Sequence, residues 1–586
     1  MHPVAARWPL VACLLCLSLA AAAQTPPAEP PPPEAATGLI AKQSVAAASA
    51  MVASAHPDAT AAGLRVLEQG GNAIDAMVAV QAMLGLVEPQ SSGLGGGAFL
   101  VFWDARAQRL TTYDGRETAP ASATPQYFLQ PDGTPKDFMA AVQGGRSVGV
   151  PGAVKLLQTA HMHYGASYWA DLFLPAIEKA EQGFAVSPRL AGLLADSTAQ
   201  GLDAYPEAKA YFYDEAGQPR PSGFVLKNPA YADTLRTIAA EGGDAFYRAP
   251  IAQAIVDAVR STPDNPGELT LEDFAAYEVK ERAPVCSGYR AYQVCGMGPP
   301  SSGGIAVGQI LGLLDHFDMG SLGPDSVDAW HLFIEASKLA YADRAQYVAD
   351  ADFVSVPVQG LLDPAYLTAR AQLIDRDRAM PEAKAGNPPW RDGALYAPQK
   401  QEEQPGTSHF VIVDRDGNAV SMTTTIESGF GSRLMTGGFL LNNELTDFSF
   451  VPEENGRPVA NRVEGGKRPR SSMAPTIVMQ DNAPHLLIGS PGGSRIIPYV
   501  AGATVGVLDW DMDLQDALDM GHVVNRNGPT ELEEGTPTAA LEAALAARGQ
   551  EVRLAEQNSG LHAILIGSGQ LTGAADSRRE GTAAGN

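Results

Sequence analysis

Past the middle of the chain, Gly406-Thr407-Ser408-His409-Phe410 opens one apolar run, and Thr423-Thr424-Thr425 closes the next. A threonine hydroxyl is a weak nucleophile until a neighbouring group holds or deprotonates it. Ser408 to Asp414 reads as a strand centred on Phe410-Val411-Ile412-Val413, and Ala419 to Ile426 reads as a second. Arg415-Asp416-Gly417 between them is turn chemistry. Counting outward in the antiparallel register from Asp414 opposite Asn418 sets Thr407 opposite Thr425. Directly opposed residues share a face with Cβ atoms roughly 4.5–5.5 Å apart, so one hydroxyl can hold the other. A threonine cluster alone is ordinary strand composition. Its meaning therefore depends on the rest of the chain.

The elements that must position this hairpin alternate between helix and strand signals, which predicts a mixed α and β protein. Asp58 to Gln69 carries apolar residues at helical spacing and ends at Gly70-Gly71-Asn72. Asp75 to Leu86 is apolar almost all round and should be buried on every side. Gly93-Leu94-Gly95-Gly96-Gly97 leads into a strand at Phe99 to Trp103, whereas a phosphate loop leads into a helix; it reads as a place where backbones approach closely. Ser326 caps a long helix reaching Ala342. Pro381 to Gln404 is irregular, and 451 to 470 is a polar loop. Strands at Thr476 to Gln480 and Leu486 to Gly489 precede the turn Ser490-Pro491-Gly492-Gly493 and a helix from Arg495 to Leu508.

Composition narrows the setting. Arg7, the apolar stretch Leu10 to Ala23 and the small residues Ala21-Ala22-Ala23 read as an export signal over residues 1–23, followed by a Pro/Ala-rich linker over 24–37. Leu10-Val11-Ala12-Cys13 also fits a lipoprotein box, although the apolar stretch ahead of Cys13 is short. The mature chain is expected to be exported, to the periplasm or the medium, with no membrane span. A formal net charge of −25 argues against nucleic acid as a partner. Of four cysteines, Cys286 and Cys295 survive removal of the signal, in two strand-like runs about a two-residue turn at Arg290-Ala291. That places them opposite each other for a disulfide, although Arg-Ala is poor chemistry for such a turn. A metal site is disfavoured, since no second Cys or His pair lies nearby.

Ten runs, in order, are similar to the γ-glutamyltranspeptidase family of N-terminal nucleophile hydrolases. They begin with Gly-Gly-Asn-Ala-Ile-Asp-Ala from Gly70, Glu88-Pro89-Gln90-Ser91-Ser92-Gly93, Gly115-Arg116-Glu117-Thr118-Ala119-Pro120 and Val150-Pro151-Gly152. They continue through Pro299-Pro300-Ser301-Ser302-Gly303-Gly304, Gly406-Thr407-Ser408-His409, Leu441-Asn442-Asn443-Glu444 and Asp447-Phe448-Ser449. The last two are Lys467-Arg468-Pro469-Arg470-Ser471-Ser472-Met473 and Gly489-Ser490-Pro491-Gly492-Gly493-Ser494. The resemblance implies an α+β fold, a four-layer αββα sandwich, and a precursor that cuts itself between Gly406 and Thr407. The products would be a large subunit, 38–406 with the linker ahead of it, and a small subunit, 407–586, held as a heterodimer.

On this resemblance Thr407 is the nucleophile and its freed α-amine the base, its unperturbed pKa being about 7.7–8.0. Neither metal nor cofactor is implied. Thr425 matches the second threonine, and the backbone amides of Gly492 and Gly493 match the oxyanion donors. Arg116 matches the group that takes the donor's α-carboxylate, through a contact open to bidentate geometry, with Ser471 and Ser472 in support. Glu444 and Asp447 match acceptors for the α-ammonium.

Two positions depart from the family pattern. Glu427 stands where the family has Asn, on the expected strand face of Thr425, where a third carboxylate either strengthens the hold on an ammonium or raises a neighbour's pKa. The 451 to 470 loop resembles a shortened lid and lacks a tyrosine that walls the pocket in some members, so water and bulky acceptors should enter. The implied activity is a γ-glutamyl hydrolase/transferase acting on glutathione or related amides, with water, amino acids or peptides as acceptors. Alternatives are a cephalosporin (glutaryl-amide) acylase of the same fold and a non-catalytic exported solute-binding protein.

Overall fold

The computed structural model describes residues 40–196, 199–390, 395–399 and 406–586. The signal and linker expected over 1–37 lie outside the described residues, as do parts of the irregular segment ahead of Gly406. Two seven-stranded sheets form the centre. The first runs in the order Thr582–Gly585, Met51–Ser54, Thr407–Val413, Ala419–Thr425, Gly97–Asp104, Arg109–Gly115, Lys280–Arg282. The second runs Val45–Ala47, Gln570–Ala575, His562–Gly567, Ala483–Gly489, Thr476–Gln480, Tyr292–Gly296, Val285–Tyr289. Each sheet draws strands from both sides of residue 407.

Side-chain alternation along each strand builds the layers. Phe410 and Ile412 join Leu100, Phe102 and the helix Ala73–Val87 in one core, whereas Val411 and Val413 meet Val101, Trp103, Ile477, Leu487 and Ile564 between the sheets. A third core packs Val478, Leu486 and Ile488 against the helices Gly303–Leu314, Val327–Tyr347 and Ile496–Leu508. The result is helix, sheet, sheet, helix, the expected αββα sandwich. Buried on both faces, the 407–413 strand gains roughly 1.5–3 kcal/mol for each large apolar side chain it removes from water. Among the described residues no helix is long and apolar enough to cross a membrane.

Local chemistry fixes the elements around the hairpin. Asn72 and Asp75 form a capping box at the start of the 73–87 helix, whose fifteen residues are all buried. At the hairpin tip, Asp414 Oδ1 accepts the N–H groups of Asp416 and Asn418 at 2.9 Å each, and Gly417 takes φ +82°. Strands Met51–Ser54 and Gly97–Asp104 pair with its outer edges, so its register is held from both sides. Cys286 and Cys295 pair across the Val285–Tyr289 and Tyr292–Gly296 hairpin and are joined by a disulfide. The unfavourable Arg290 adopts φ +54° there, and its guanidinium is held by Asp315 and Asp509.

Candidate active site

The two central strands pair in the counted register, Thr407 opposite Thr425 and Val413 opposite Ala419. In this continuous chain the Thr407 hydroxyl donates to the Gly406 carbonyl at 2.7 Å and lies 3.3 Å from Thr425 Oγ1. The Thr425 hydroxyl donates to the same carbonyl at 2.6 Å and accepts the Glu427 N–H at 2.8 Å. One backbone amide thus orients Thr425, and two hydroxyls converge on the carbonyl that precedes Thr407. The glycine loop sets the other side of Thr425. A Cβ at Gly96 would lie 1.9 Å from the Thr425 carbonyl oxygen, so only glycine permits this approach.

A small pocket opens beside these hydroxyls, lined by Arg116, Thr407, Thr425, Glu427, Glu444 and Asp447, with Ser471, Ser472, Met473, Gly493 and Ile496 completing it. Its cavity volume is about 20 Å³ in the uncut chain, room for about one water molecule. Arg116 extends from the end of the Arg109–Gly115 strand and is 1% exposed. Its Nε donates to the Pro469 carbonyl, Nη1 to Glu444, and Nη2 to both Asp447 at 2.5 Å and the Arg470 carbonyl at 2.8 Å. Four of its five N–H groups are therefore engaged. A new bidentate contact to a ligand, as the sequence suggested, needs one of these partners displaced; without that, a single Nη1 N–H is on offer. Burial pulls the guanidinium's pKa down, but Glu444 and Asp447 more than reverse this and hold it above its ordinary value.

Glu444 and Asp447 sit on one 3₁₀ turn, Glu444–Asp447, which places both carboxylates on the same approach to Arg116. Ser471 Oγ accepts the Met473 N–H at 3.1 Å, and Ser472 Oγ accepts from Arg344 at 2.6 Å. Each hydroxyl keeps its proton to donate into the pocket. Gly493 lines the pocket, while Gly492, at φ +137°, is not among its lining residues and precedes the short turn that leads into the 496–508 helix. The disulfide Cys286–Cys295 is on the edge of the other sheet and takes no part in this pocket.

Glu427 departs from its expected place. The strand ends at Thr425, and Glu427 turns into the left-handed region at φ +77°, so it does not lie on the strand face of Thr425. Its carboxylate still lines the pocket, bonded by the Ser428 hydroxyl and by Asn443 Nδ2 at 2.5 Å. Phe430 and Arg433 in the same loop also have positive φ, a concentration of strain beside the paired threonines. Arg433 braces the loop by donating to the carbonyls of Gly429 and Gly431 at 2.6 Å each.

Sequence reasoning passed over Glu117 and Arg344. Glu117 is fully buried, and burial followed by the charge of Glu444 pushes its carboxyl well above the ordinary range. Its position next to Arg116 was the available signal. Arg344 donates to Ser302 and Ser472 from the 327–347 helix, a placement that no local pattern reveals.

The family model for γ-glutamyltranspeptidase matches residues 59–586. The chain is 39% identical over 547 residues to a glutathione hydrolase proenzyme of Bacillus subtilis strain 168, with 91% of each chain covered. It is 40% identical over 544 residues to a protein of that name from Escherichia coli K12, again with 91% of each covered. Among solved structures, a cephalosporin acylase from Bacillus halodurans superposes with a TM-score of 0.80 at 27% identity, covering 94% of this chain and 99% of that one. With an αββα sandwich that brings its paired threonines and its Arg116 cluster into one pocket, the chain belongs to the γ-glutamyltranspeptidase family.

Proposed function

We propose that this protein is an exported γ-glutamyl hydrolase/transferase that matures by cutting its own chain between Gly406 and Thr407. The observation that carries the reading is the convergence of two threonine hydroxyls on the Gly406 carbonyl, in the pocket that also holds Arg116, Glu444 and Asp447. In maturation, Thr407 Oγ attacks the Gly406 carbonyl carbon. The Oγ–C bond forms, the C–N bond breaks, and the hydroxyl proton ends on the departing nitrogen. Water hydrolyses the resulting ester, leaving a Gly406 carboxylate and a free Thr407 amine. The small and large subunits stay together as a heterodimer.

In turnover, that amine takes the Thr407 hydroxyl proton as Oγ attacks the donor's γ-carbonyl, and it passes the proton to the leaving amine. Water, an amino acid or a peptide then accepts the γ-glutamyl group from the threonine ester. The N–H groups at Gly492 and Gly493 steady the oxyanion. Arg116 with Ser471 and Ser472 takes the α-carboxylate, while Glu444, Asp447 and Glu427 take the α-ammonium. Three carboxylates against one guanidinium favour a donor that carries a free ammonium. The relatives at 39% and 40% identity bear the name glutathione hydrolase, which supports glutathione or a related γ-glutamyl amide as donor.

The acylase of the same fold, at TM-score 0.80, supports a second reading in which a glutaryl amide is cleaved. Turnover of γ-glutamyl and glutaryl anilides separates the two, with a clear preference for the γ-glutamyl compound expected. Self-cleavage is read on a denaturing gel. Wild type should give two bands that merge into one uncut band in Thr407→Ala, and a wild-type chain that stays whole on prolonged incubation would sink the mechanism.

A further inference from the structure

Gly406 is packed against backbone on the side where any other residue would carry Cβ. A Cβ built there would lie 2.1 Å from the Glu427 carbonyl oxygen, 2.7 Å from the Ser428 carbonyl carbon and 2.8 Å from the Gly429 nitrogen. None of these is a side-chain tip that could swing away. The 427–429 backbone is itself held in place: the Glu427 N–H is on Thr425 Oγ1, the Ser428 N–H is on Asn443 Oδ1 at 3.0 Å, and the Gly429 carbonyl is on Arg433. Ile426 and Phe430 on either side donate to the Ser91 and Gln90 carbonyls. A side chain at 406 must therefore displace residue 406 itself.

The displacement needed is large beside the bonds at stake. Moving a Cβ from 2.1 Å to ordinary contact at 3.4 Å shifts it by more than about 1 Å. The Gly406 carbonyl oxygen accepts the Thr425 and Thr407 hydroxyls at 2.6 and 2.7 Å, and a shift of that size takes it out of reach of one or both. We infer that Gly406 is a positioning residue for self-cleavage: its missing side chain lets the Glu427–Gly429 backbone press the scissile carbonyl onto the two threonine hydroxyls. The inference rests on the self-cleavage proposed above. It adds that the step is set by the residue before the cut as well as by the nucleophile after it.

The test follows cleavage of full-length wild type, Gly406→Ala and Gly406→Val on a denaturing gel, using the folded fraction isolated by gel filtration. A misplacement near 1 Å costs on the order of 100-fold in rate. Ala should slow cutting by about that factor, and Val by more. The molecules that do become cut should turn over a γ-glutamyl anilide at the wild-type rate per cut chain, because the residue acts before the nucleophile is released. A Gly406→Ala chain that cuts within about threefold of wild type overturns the inference and leaves self-cleavage standing. A slowly cut variant with equally reduced turnover per cut chain also overturns it, by showing a general defect of the site. A wild-type chain that never cuts removes the self-cleavage reading, and this inference with it.

Discussion

At one end of the pocket, Thr407 and Thr425 face each other across adjacent strands that are paired on their outer edges as well. At the other end, Arg116 meets Glu444 and Asp447 across sequence separations of 328 and 331 residues, and those carboxylates stand on a single 3₁₀ turn. The hydroxyl end is uncharged and its geometry comes from backbone ladders. The charged end is held by ion pairs between loops, buried from water. Ladders fix atoms to fractions of an ångström and suit bond-making, while a buried ionic cluster is costly to open without a matching ligand and so suits selection. Changes at the first end should therefore appear in rates of cutting and turnover, and changes at the second in the strength and choice of substrate.

The sharpest way to break this division is Thr425→Val, which keeps shape and removes one hydroxyl donor from the Gly406 carbonyl. Loss of such a donor typically costs roughly 10²–10³-fold. Cutting, followed on gels, should slow by about that much without loss of the folded state. Arg116→Lys is the counterpart, retaining charge but losing the fork that reaches Glu444, Asp447 and two carbonyls. We expect KM for a γ-glutamyl anilide to rise on the order of 10-fold or more, with the cutting rate changed far less. A cutting defect as deep as that of Thr425→Val would show that the two ends are not separable. Glu427→Gln removes one of three carboxylates, and the preference for γ-glutamyl over glutaryl anilide should narrow several-fold. An unchanged ratio would take Glu427 out of donor selection.

The smallest effect on activity is expected from Glu88, on the helix-covered side of the first sheet. Burial, partly offset by Arg189, pushes its carboxyl up to about 7, and Gln90 donates to it at 2.9 Å. The folded chain thus binds a proton that the unfolded chain has released, so Glu88 takes stability away as pH rises from about 4.5 to about 7. Urea midpoints measured across that window should show a decline that Glu88→Gln flattens, while turnover stays near wild type.

What the sequence disclosed divides along the same line. The threonine pairing was legible because Arg415-Asp416-Gly417 is local turn chemistry, and register follows by counting outward from Asp414 opposite Asn418 once that turn is placed. The cysteine pairing was legible by counting along its two strand-like runs in spite of the poor turn chemistry of Arg290-Ala291, and Arg290 needed partners from distant segments to tolerate its backbone angle. The charged end has no such local grammar. Nothing in the spacing of Arg116, Glu444 and Ser472 says that they meet, and only the resemblance to a family brought them together. Where that resemblance departed, at Glu427, strand periodicity was carried two residues too far, past a left-handed turn that a glutamate does not advertise. Arg344 acts through Ser302 and Ser472, and such a role leaves no mark on a sequence.

Both sheets interleave strands from before and after residue 407, and one consequence concerns reaction order. The Thr582–Gly585, Met51–Ser54 and Thr407–Val413 strands lie side by side, so severing the chain leaves every ladder intact. The uncut chain folds as a unimolecular process, whereas the cut protein, once denatured, must refold by a bimolecular one. The cut protein's apparent melting temperature should then depend on concentration, and dilution after denaturation should slow recovery of the folded state.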